Sequence, residues 1–245
     1  MAGRGKLRVG TSGYQYDHWR GVLYPDEAPK REWFGLYTRQ FTTVEINNTF
    51  YHLPAATTFD NWRDQAPRGF CYALKYSRYG SHLKHMKDPH QHVDRFVERA
   101  KRLGAYLGPI LVQLPPHWRV DLERLDSFLA ALPRGHRWAV ELRDATWLCE
   151  RVYSALRRHS VALCIHDLLP DHPSELTAGW TYLRFHGPAP ERKYAGSYPY
   201  QALRAAAQRI DQWLSAGCDV HAYFNNDERG HAVQNALDLL RFVDT

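Results

Sequence analysis

The chain has 245 residues, 44% of them hydrophobic and 24% charged, a balance that excludes a disordered polymer and suffices for a core without disulfides or metal staples. Thirty-two basic against 26 acidic residues leave a formal charge of +6, which admits an anionic partner without requiring one. No apolar run approaches the ~20 residues of a membrane span, Met1–Arg8 lacks the apolar stretch of a secretory signal, and Cys71, Cys149, Cys164 and Cys218 show no paired spacing. A cytoplasmic protein is expected.

In chain order, short β-branched or aromatic runs predict strands over Arg8–Thr11, Thr43–Asn47, Cys71–Lys75, Ile110–Leu114, Ala139–Arg143, Ala162–Asp167, Thr181–His186 and Val220–Asn225. Between them, apolar residues at helical spacing predict helices over Asp94–Leu103, Leu122–Leu132, Cys149–Arg158, Gln201–Ala216 and Val233–Val243. Gly104, Gly135 and Gly217 fall just past three of these, where a terminating glycine belongs. Eight strands alternating with helices imply a parallel sheet. The expected fold is α/β, a single (β/α)8 TIM-barrel-like domain over residues 1–245 with surrounding helices. A doubly wound open sheet is the alternative. It would usually carry a glycine-rich nucleotide loop, and neither G-x-G-x-x-G nor G-x-x-x-x-G-K-[ST] occurs.

Side chains alternate between the faces of a strand. One face of each predicted strand is apolar, as with Val44 and Ile46 or Val140 and Leu142. The other gathers Glu45, Asn47, Lys75, Gln113, Glu141, Arg143, Asp167, Arg184, His186, Tyr223 and Asn225. In the sixth strand Leu163, Ile165 and Asp167 share a face, so His166 is expected to point the other way. Buried charges are costly unless paired, so this assembly reads as a binding or active site at the C-terminal strand ends. A self-satisfied ion-pair network is the structural alternative.

The same positions carry a resemblance. Val9-Gly10-Thr11-Ser12-Gly13-Tyr14 with Trp19 and Gly21, Thr43-Val44-Glu45-Ile46-Asn47-Asn48-Thr49-Phe50-Tyr51, and Ala73-Leu74-Lys75 come first. Gly108-Pro109-Ile110-Leu111-Val112-Gln113-Leu114-Pro115-Pro116, Glu141-Leu142-Arg143 with Trp147, Tyr182-Leu183-Arg184-Phe185-His186-Gly187 and Tyr223-Phe224-Asn225-Asn226-Asp227 follow. Across nearly its whole length the chain resembles the DUF72 (YecE-like) family. The resemblance implies a TIM-barrel-like fold and no activity, because the family is one of unknown function. The resemblance would also place a His or similar residue and then a Ser after the arginine of the fifth strand. This chain has Asp144-Ala145-Thr146 instead.

The charged set suits acid–base chemistry. Glu45 or Glu141 would move a proton, with His186 as the second acid or base. Lys75, Arg143 and Arg184 would bind the anionic part of a small anionic or polyhydroxy substrate. Asn47, Gln113, Asp167, Tyr223 and Asn225 would bind and orient it. Three carboxylates (Glu45, Glu141, Asp167) against three cations (Lys75, Arg143, Arg184) leave no excess negative charge for a divalent metal, so no cofactor is expected. Two rivals stand: a metal-dependent hydrolase or nuclease using Glu45, Glu141, Asp167 and His186, and a non-catalytic nucleic-acid-binding barrel using the net charge and ring-rich loops. His82, His85, His90 and His92 read as a solvated, basic rim loop after the third strand. Asn225-Asn226-Asp227 reads either as a helix cap or, with Lys193 and Arg229, as part of a phosphate site.

Overall fold

The computed structural model describes residues 3–189 and 193–243. Eight strands occur among them: β1 Leu7–Thr11, β2 Thr43–Ile46, β3 Cys71–Lys75, β4 Leu107–Gln113, β5 Trp138–Glu141, β6 Ala162–His166, β7 Trp180–Phe185 and β8 Asp219–Phe224. They belong to one sheet, in the order β1-β8-β7-β6-β5-β4-β3-β2. The fold is therefore α/β and TIM-barrel-like, and each expected strand is present within a few residues of its expected bounds.

Five helices fall where periodicity predicts them: α4 Pro89–Ala100, α5 Leu122–Ala130, α6 Glu150–Arg158, α7 Tyr200–Ser215 and α8 His231–Val243. Pro89 starts α4 and Asp121 caps α5 by accepting from the Arg124 amide. Of the three marked glycines, Gly217 terminates its helix directly. It has φ +83°, its amide bonds to Leu214 and the next amide, of Cys218, bonds to Trp213. Gly104 and Gly135 also have positive φ but lie in the turns beyond their helices. Three short helices were not expected: α1 Trp33–Tyr37, α2 Asn48–Tyr51 and α3 Ala56–Gln65.

The chain divides into two compact units. The first comprises the described residues of Met1–Glu45, His166–Pro170 and Tyr182–Thr245; the second comprises Ile46–Ile165 and Asp171–Thr181. In the first unit β1 runs parallel to β8, Leu7 beside Val220 and Thr11 beside Phe224, and α7 packs on α8 and on β8. Its core includes Val9, Leu203, Ile210, Val220, Ala222 and Leu239, all buried. In the second unit β4 pairs with β3 and β5, in a register that sets Gln113 beside Glu141. Ile110, Val112, Val140 and Leu142 are fully buried there against Leu125, Phe128 and Leu156.

Candidate functional site

The first unit holds a continuous buried polar network at its strand ends. The chain leaves β1 at Ser12, whose amide bonds to the Phe224 carbonyl and whose backbone bridges to Glu45. Glu45 has no exposed surface. Its carboxylate accepts from the Ser12 hydroxyl, from Tyr182 Oη at 2.7 Å and from Arg184 Nη2 at 2.8 Å. Arg184 is only 2% exposed, so the pair is an ion pair shut away from water. Burial first, and the Glu45 charge second, push the Tyr182 phenol well above its ordinary range. Tyr182 therefore donates its proton to Glu45 and keeps it.

Arg184 Nη1 lies 3.1 Å from His186 Nε2. A guanidinium only donates, so Nε2 accepts and the ring proton sits on Nδ1, which faces Asp167 at 3.2 Å. Asp167 also accepts from the His186 amide at 2.9 Å and from the Tyr198 hydroxyl. Tyr198 in turn accepts from the Gly187 amide at 2.7 Å. Its phenol is raised by burial and by the Asp167 charge. Asp167 is the solvent-facing member of the network, its side chain 31% exposed. Tyr223 is buried 5.0 Å from the Tyr182 ring, its hydroxyl 2.8 Å from Thr43 Oγ1. Asn225 is half-buried and bonds through its amide to the Phe185 carbonyl. The next residue, Asn226, is the fully buried one and bonds to Gly196 and Asn235. Its carbonyl accepts from the Ala232 amide at 3.0 Å, which ties it to the first turn of α8, a helix that starts five residues later.

One orientation differs from expectation. His166 was expected to point away from the polar face, but its ring is buried and lies edge-on to His186 at 5.9 Å. Strand β6 ends at His166, so strict alternation no longer governs Asp167, which turns back to cap the His186 amide. His166 itself accepts from the Leu168 amide.

The second unit holds a different cluster. Lys75, 8% exposed, closes β3 with its ammonium 4.1 Å from the Phe50 ring centre. The Lys75 carbonyl accepts from Thr49, which ties α2 to the strand. Asn47, just past β2 and ahead of α2, is half-buried, and its carbonyl receives the Phe50 amide. Glu141 is fully buried, and Arg143 Nε donates to it at 2.5 Å. Gln113 is 5% exposed; one end of its amide lies 3.4 Å from His82 Nε2, and the other end is buried without a hydrogen-bond partner.

His82 is the residue that sequence reasoning did not single out. It sits on a π-helical turn, Tyr79–Leu83, which starts four residues after β3. Gly80 lets this turn lie against Tyr76, whose hydroxyl a Cβ would strike. The His82 ring is edge-on to Phe50 at 5.0 Å and bonds to Ser81 Oγ at 3.0 Å. Burial first, then the charges of Lys75, Arg143, Arg78 and His85, press its pKa down to about 4. The expected solvated loop is thus partly folded in: His82 and His85 are half-buried, and His85 meets Trp118 at 4.8 Å. Asp144 accepts from the amide and hydroxyl of Thr146, capping a 3-10 turn that seats the buried Trp147.

The even charge count of the sequence thus divides unevenly. The first unit holds two carboxylates, Glu45 and Asp167, with one guanidinium; the second holds Lys75 and Arg143 with Glu141, and Arg78 nearby. Among the described residues, no three of His, Cys, Asp and Glu are grouped to hold a metal ion. Among the described residues, no helix is long and apolar enough to cross a membrane.

A family model described as "Protein of unknown function DUF72" matches residues 8–245. A crystal structure of a DUF72 family protein from Thermotoga maritima MSB8 is 26% identical, with a TM-score of 0.87 over 98% of this chain and 100% of that one. One from Enterococcus faecalis V583 is 18% identical, with a TM-score of 0.82 over 98% and 96%. The curated UPF0759 protein YunF of Bacillus subtilis (strain 168) is 22% identical over 97% of this chain and 95% of its own length.

Proposed function

The chain belongs to the DUF72 family of proteins of unknown function, and from its strand-end chemistry we propose an enzyme that takes a small anionic or polyhydroxy substrate and works by metal-independent acid–base chemistry. The observation that carries this reading is the cationic surround of a neutral imidazole in the second unit. Burial first, and then the charges of Lys75, Arg143 and Arg78, hold His82 unprotonated, beside a Gln113 amide with one buried end unused. An anion seated there adds to the Glu141 carboxylate in offsetting these positive charges. The part of the depression that comes from these charges is then relieved, and the His82 pKa rises from about 4 toward the range in which a general base works.

In this reading Lys75 and Arg143 bind the anionic group, Gln113 and Asn47 orient the substrate, and His82 moves the proton. Glu141 fixes the Arg143 guanidinium by accepting from its Nε. Glu45 plays the equivalent part for Arg184 in the first unit, where Tyr223 packs on Tyr182. His186 is held by Asp167 on one nitrogen and Arg184 on the other, so its part is to transmit order between them. Asp167 and Asn225 are the members of that unit that meet solvent and ligand.

The test is an NMR titration of the His82 ring with and without inorganic phosphate. Phosphate should raise its pKa from about 4 by one pH unit or more, and Lys75→Gln should abolish the response. Once a substrate is found, His82→Gln should remove turnover while leaving binding. A His82 pKa indifferent to phosphate, sulfate and carboxylates overturns the reading.

A further inference from the structure

Among the described residues seven large apolar side chains are exposed, and three of them lie close to His82 in the chain or through Phe50. Tyr51 is 71% exposed, Leu83 62% and Tyr79 46%. All three lie on the two segments that frame His82. Tyr51 ends α2 directly after Phe50, and Tyr79 and Leu83 are the first and last residues of the π turn. Isolated exposed rings need no explanation, but rings gathered beside a buried cationic cluster do.

Phe50 connects the two features. It lies edge-on to Tyr51 at 5.2 Å and edge-on to His82 at 5.0 Å, and it carries the Lys75 ammonium over its face at 4.1 Å. The open Tyr51 ring is therefore one ring away from the anion-binding groups. Lys84, 5.6 Å from the Tyr79 ring, and the exposed Arg78 add positive charge at the same rim. A ligand matched to this surface carries a negative group for Lys75 and Arg143 and a flat, weakly polar ring for Tyr51. Every nucleobase presents such a face.

We propose that this site takes a nucleoside monophosphate, with the phosphate against Lys75 and Arg143 and the base stacked on Tyr51. The proposal rests on the anion-site reading above and adds the class of ligand.

Calorimetric titrations of the full chain with inorganic phosphate, ribose 5-phosphate and adenosine 5′-monophosphate test it. The nucleotide should bind about tenfold or more tightly than the sugar phosphate, as expected for one stacked base. Tyr51→Ala should erase that advantage and leave phosphate affinity unchanged; because Tyr51 is so exposed, the variant will fold. Tyr200→Ala, at an exposed tyrosine of the first unit, should change nothing. Equal affinity for nucleotide and sugar phosphate overturns the ring contact and leaves the anion site standing. No binding of any of the three overturns both. Binding of a single-stranded oligonucleotide alone, falling steeply with salt, overturns the small ligand in favour of a strand.

Discussion

Acid should unfold this protein partly through His82. In the folded chain its pKa is about 4, against 6.5 for an ordinary histidine. Between those two values the unfolded chain binds a proton that the folded chain refuses. Stability from this group is therefore fully present above pH 6.5 and is lost as the pH falls toward 4. The gap is about two and a half pH units, and at ~1.4 kcal/mol per unit its ceiling is roughly 3 kcal/mol. The ring is only half-buried, so water screens much of that, and about 1–2 kcal/mol is the reasonable expectation. The assay is urea unfolding at pH 7.5, 6.0, 5.0 and 4.0 for wild type and His82→Gln, with the exposed His90→Gln as control. Wild type should lose about 1–2 kcal/mol more than His82→Gln across that range, and phosphate should shrink the difference. Parallel stability curves for wild type and His82→Gln would refute the argument, because burial and the cationic surround would then not be acting on the ring.

Two further outcomes concern the first unit. Arg184→Met leaves the Glu45 carboxylate buried without its cation and should cost about 3–5 kcal/mol in urea unfolding, of which Glu45→Gln in the same chain should restore more than half; strictly additive costs would sink the pairing. Gly187 has φ +115°, and a Cβ there would run into the Ala195 carbonyl. Gly187→Ala should therefore destabilise by about 1–3 kcal/mol, and hydrogen exchange should show the loss concentrated in Lys193–Tyr198; uniform loosening would count against the local cause.

The strands were legible because alternation is a strong signal when one face is apolar throughout. It placed Glu45, Lys75, Gln113, Glu141, Arg184 and Tyr223 among the polar residues that a buried face must accommodate, and all six are buried. The rule failed at His166, where the strand stops and the next residue is free to turn. Short helices escaped notice for a related reason. Helix α3 buries only Phe59 and Trp62, too few apolar positions to show a period, and α1 and α2 are too short to have one. His82 was invisible as an individual, since nothing in spacing announces a π turn, and its only trace was four histidines within eleven residues. Asp144, which replaces the residue expected at the rim, is a cap: its carboxyl serves Thr146, and those hydrogen bonds hold its pKa down.

The turn that carries His82 closes on a bond from the Lys84 amide to the Tyr79 carbonyl, one residue longer than an α-helical turn. A turn with a surplus residue can shed it. Loss of one residue between Tyr79 and Leu83 would tighten the turn to α-helical form and rotate the imidazole away from Gln113, while β3 and α4 on either side kept their own hydrogen bonds. Presence or absence of the imidazole at this position is thus separable from the strand and helix hydrogen bonds on either side. Within a lineage built on these strands, a single codon's insertion or deletion is enough to bring an imidazole beside this cationic cluster or to take it away.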